Sequence, residues 1–135
     1  MSMDRAGVIL CAAEEKHFIS LMMWLQNHHN VSCVNMLSNW NVIDVLSSEA
    51  DTSTTELLRD RLDDLIKHTG ASLIAVVDYR SGMKDQGGPM SNRERLNAAL
   101  QRAQSWFPDL TVIGLSVDDR FRVLSEVPYD RRLSG

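Results

Sequence analysis

Ser72-Leu73-Ile74-Ala75-Val76-Val77 is apolar without interruption from Leu73 onward. A strand with one wet face alternates polar and apolar residues. An unbroken apolar run of this length suits a strand covered on both faces, the usual condition of a parallel sheet. The flanks agree. Before it, Leu57, Leu58, Leu62, Leu65 and Ile66 recur at helical spacing. Ser53 and Glu56 have the spacing of a capping box, and Thr69-Gly70 supplies the usual helix stop. After it, Arg80 to Met90 is rich in glycine and reads as a loop. Ser91 and Glu94 then open a helix carried by Leu96, Ala99, Leu100, Ala103 and Trp106, ending before Pro108.

The same signature recurs at both ends of the chain. Ala6-Gly-Val-Ile-Leu-Cys11 is another continuous apolar run, Leu110-Thr-Val-Ile-Gly-Leu-Ser-Val117 is the last strong strand, and Val31-Ser-Cys-Val-Asn-Met36 is a second strand. Phe18, Leu21, Met22 and Leu25 place a helix between Glu14 and His29. Asn39 is placed to cap a short helix over Asn41 to Ser48. The order β-α-β-α-α-β-α-β predicts an α/β fold: a mostly parallel sheet of four to five strands with helices on both faces. Residues 118–135 are polar and mixed, and read as an edge strand or an arm. With no repeat and no linker, residues 1–135 are expected to form one domain.

The 135 residues are 44% hydrophobic and 24% charged, a globular balance for a chain long enough to fold without a metal or disulfide. A net charge of -4 with no basic block argues against binding nucleic-acid phosphates. No stretch reaches the roughly 18 apolar residues of a membrane span. Met1 to Gly7 lacks the apolar core of a signal peptide. The two cysteines, Cys11 and Cys33, lie in apolar runs and read as reduced core residues rather than a disulfide framework. A cytoplasmic protein is expected.

Ligands in open α/β sheets bind at the carboxyl ends of strands, where strand order reverses. If the first and third strands are neighbours, Cys11 and Asp78 share one rim. Cys11 also reads simply as a small buried hydrophobe at a strand end. Asp78 and Arg80 could pair there and hold a small anion such as bicarbonate, or merely begin a solvated loop. The loop from Gly82 to Pro89 leads to the helix start at Ser91, where phosphate could dock, but the spacing is not that of a Walker loop, and a plain loop fits better. Glu14 and Glu15 could form an acid/base pair, but they better suit a helix start, where carboxylates favour the dipole. His28 and His29 with Cys33 suggest a metal, yet adjacent helical residues do not share a face. His17 and His68 read as surface residues. Met22, Met23 and Trp24 read as core and interface packing.

Gly70-Ala-Ser-Leu-Ile-Ala-Val-Val-Asp-Tyr79 and Val112-Ile-Gly-Leu-Ser-Val-Asp118 carry a resemblance. Over about Val8 to Val127 the layout is similar to the small β-carbonic-anhydrase-related proteins of prokaryotes. That class carries Cys-x-Asp-x-Arg after the first strand and His-x-x-Cys after the third. The cysteines and histidine hold zinc, and the aspartate and arginine form a dyad beside it. The resemblance sets Cys11 on the first zinc cysteine, Ala13 on the aspartate and Glu15 on the arginine. It sets Asp78 on the histidine and Ser81 on the second cysteine. Only Cys11 keeps the expected residue type.

Zinc catalysis needs three firm ligands and an open position for water. The resemblance therefore implies a protein with no catalytic residues and no zinc, working as a binding, scaffolding or regulatory protein. It also implies a homodimer, with Met22 to Trp24 and the tail after Asp118 as candidate interface elements, and leaves room for a protein partner. Two alternatives stay open. One is a divergent metal-dependent hydratase or hydrolase of a small carbonyl compound, with Cys11, Asp78 and a histidine from elsewhere in the chain as its ligands. The other is a sensor of bicarbonate or phosphate near Arg80 and Ser91.

Overall fold

The computed structural model describes residues 5–11, 18–38, 46, 53–79, 92–118 and 122–128. Eight elements follow one another: β1 (Arg5–Cys11), α1 (Phe18–His29), β2 (Val31–Ser38), α2 (Ser53–Thr69), β3 (Leu73–Tyr79), α3 (Asn92–Trp106), β4 (Thr111–Val117) and β5 (Val123–Pro128). The strands form one sheet in the order β2-β1-β3-β4-β5. All pairings are parallel except that of β4 with β5. The expected α/β architecture is thus the observed one, with five strands. Residue 46 is helical, as expected between the second strand and α2. The other residues of that short helix, and Ser91 of the third helix start, lie outside the described residues.

Alternation along the strands divides the core in two. Ala6, Val8, Leu10, Ile74, Val76 and Val112 face α2 and α3, packing with Leu58, Leu62, Leu96, Leu100 and Ala103. Ile9, Leu73, Ala75, Val77, Ile113, Leu115 and Val117 face the other way and pack with Leu21 and Leu25 of α1. Both faces of the inner strands are dry, which is why their sequences lack alternation. One turn apart on the solvent side of α2, Asp63 and Lys67 pair at 2.8 Å, and that hydrogen bond raises the lysine pKa.

Two glycines have structural reasons. Gly70 ends α2 at φ 68°, and its N–H donates to Ile66 O at 2.8 Å. A Cβ there would meet nothing within 4 Å, so only backbone strain opposes a side chain. Gly70→Ala is expected to cost about 1 kcal/mol, measured by denaturant unfolding. Gly114 is different: a Cβ would lie 3.2 Å from each of Leu96 Cδ2, Leu100 Cδ1 and Val127 O. The missing side chain lets α3 pack closely on β4.

Side chains fix the turns around β4. Gln104 Nε2 donates to Phe107 O at 3.2 Å and Leu110 O at 2.9 Å, closing the passage from α3 into the strand. Asp118 accepts from Arg122 N and Arg122 Nε, each at 2.9 Å, while its own N–H donates to Arg122 O at 3.1 Å. This clamp reverses the chain, so β5 pairs antiparallel as an edge strand, in line with one of the two readings of residues 118–135. That edge carries a register shift at Ser116/Val117, together with Glu126 and Pro128. All three features discourage further strand pairing.

One expectation fails here. Cys33 is not a core residue; it is exposed. An apolar run reveals a strand but not whether that strand is central. β2 ends the sheet, so its side chains have neighbours on one side only. Asn35 Nδ2 lies 4.0 Å from Cys33 Sγ, a weak polar contact.

Candidate functional site

β1 lies between β2 and β3. The chain leaves β1 for one edge of the sheet, then returns past β1 to build the other half. The carboxyl ends of β1 and β3 therefore flank the point where strand order reverses, the place where such sheets bind ligands. Cys11 is the last residue of β1, and Asp78 is the next-to-last of β3. The structure thus brings the backbones of the two leading candidates to one rim on adjacent parallel strands.

Their register is not level. Leu10 pairs with Val76, so Cys11 continues level with Val77, and Asp78 stands one step farther along β3. Cys11 itself pairs with Ser38 of β2. Asp78 is half-buried and belongs to the strand rather than to a solvated loop. Its Oδ2 is closed off from solvent, and the residue has an interaction partner. Ala13, Glu15, Arg80, Ser81 and Ser91 lie outside the described residues, as do Glu14 and His17.

The sheet adds a feature that the sequence reading missed. Asp78 pairs with Ser116 of β4, and Ser116 pairs with Ser125 of β5. A polar row thus crosses three strands near the carboxyl end. Ser116 is 4% exposed. The available signal was a serine inside the apolar run from Val112 to Val117; its alignment with Asp78 needed the register.

The rings of His28 and His29 both lie against Trp24, but their nitrogens have different partners. His28 stacks on Trp24 with ring centroids 4.3 Å apart, and its Nδ1 hydrogen-bonds to Trp24 O at 3.0 Å. His29 Nε2 instead meets Glu126 Oε1, tying the end of α1 to β5. Among the described residues, no three His, Cys, Asp or Glu side chains group closely enough to hold a metal ion. His68 is exposed, as expected. Met22 and Trp24 are half-buried, but Met23 is 53% exposed and Ile19, one turn earlier, 59%. The His29–Glu126 pair is partly open to solvent. A double-mutant cycle with His29→Ala and Glu126→Ala is expected to give a coupling of at most about 1 kcal/mol, weakening with added salt.

A model of the family described as "putative carbonic anhydrase" matches residues 1–126. The chain belongs to this carbonic anhydrase family. The match spans every described strand but the end of β5. No curated protein and no solved structure matches the chain. Among the described residues, no helix is long and apolar enough to cross a membrane.

Proposed function

We propose that this member of the carbonic anhydrase family does not hydrate carbon dioxide through zinc, and that it works as a binding, scaffolding or regulatory protein. The observation that carries this reading is the choice of residues at the two strand ends. Cys11-Ala-Ala13-Glu-Glu15 follows the first strand, and Asp78-Tyr-Arg-Ser81 closes the third.

The donor set does not fit a catalytic zinc ion. One thiolate and one carboxylate are competent ligands, whereas a serine hydroxyl is a poor one at neutral pH. Two ligands leave zinc loosely held. Zinc is what lowers the pKa of its bound water to about 7 and so supplies hydroxide for hydration. With alanine at position 13 and glutamate at position 15, the aspartate–arginine dyad that the resemblance sets beside the metal is missing too.

Losing that chemistry leaves the scaffold intact. Both cores consist of apolar side chains from the sheet and its helices, and neither needs a metal to close. A fold kept without its metal suits a protein that acts by contact. The family resemblance favours a homodimer, and Ile19 and Met23 on α1 are exposed apolar residues available to an interface. Sedimentation velocity is expected to give a dimer at micromolar concentration; a monomer at every concentration would remove this part of the proposal. The main part is tested by elemental analysis of protein purified without a metal-affinity tag. Zinc well below one equivalent is expected, and a full equivalent would overturn the reading.

A further inference from the structure

We draw no further inference here: the strongest candidate, the outer edge of β2 with its uncharged sequence and its half-exposed Val34 and Leu37, carries nothing because nothing in the structure shows what covers it.

Discussion

Zinc affinity is expected to rise by more than about a hundredfold when Asp78→His and Ser81→Cys are introduced together. The bound is set by comparison: losing an outer-shell partner of a metal ligand alone costs about 10–100-fold, and the double substitution supplies two direct ligands. With Cys11 already in place, it would complete the three-ligand set of a catalytic zinc site. Competition against a chromophoric chelator reads the affinity directly. Asp78→His alone should give an intermediate value, because serine at position 81 remains a poor ligand. The further substitution Cys11→Ser should abolish most of the gain. If the double variant bound zinc no better than the parent, the assignment of Asp78 and Ser81 to the metal positions would be wrong. Unfolding of the double variant without metal should stay cooperative, since position 78 lies at the rim of the sheet rather than within either apolar cluster.

Leu100→Ala is expected to destabilise the fold by about 2–5 kcal/mol, the usual cost of a buried leucine truncated to alanine. Leu100 is fully buried between α3 and the sheet, and its Cδ1 comes close to Gly114. Gly114→Ala should be destabilising as well, by about 1–3 kcal/mol, because the new methyl meets two leucines and a backbone oxygen. The two changes share one space. In the double variant, part of the methyl's clash falls on a side chain that has been removed. The double variant should therefore be more stable than the sum of the single effects predicts, by about 0.5 kcal/mol or more. Full relief is not expected, because Val127 O and Leu96 Cδ2 remain. Chemical denaturation of all four proteins measures the coupling; strict additivity would mean that α3 does not rest on β4 at this point.

Much of the fold was legible because the inner strands are dry on both faces. That condition wrote unbroken apolar runs at Val8–Leu10 and Leu73–Val77, and a run from Val112 to Val117 interrupted only by Ser116. Gly70 was legible for a local reason, since its φ of 68° is one that a residue with a Cβ resists. Strand rank in the sheet is not a local property, and there the sequence misled. Cys33 lies between Val31 and Val34 in a run that reads as a strand, but β2 is an edge, so the thiol is exposed. β5 was visible only as a mixed polar tail, because an edge strand held by an Asp118–Arg122 clamp needs little apolar sequence.

The site divides along the same line. Which residues end β1 and β3 could be read directly, and the strand order puts those two ends side by side. How those residues stand relative to each other could not, because stagger between strands is set by packing across the whole sheet. The offset of Cys11 from Asp78, and the alignment of Asp78 with Ser116 and Ser125, appear only in the paired backbone.

The rate of carbon dioxide hydration, followed by stopped flow at neutral pH with and without added zinc, tests the central claim most directly. The account predicts the uncatalysed rate in both conditions, because the strand ends lack the ligands to hold zinc with an activated water. A zinc-dependent acceleration proportional to protein concentration, removed by a chelator, would contradict it and show that this member of the family is a working enzyme.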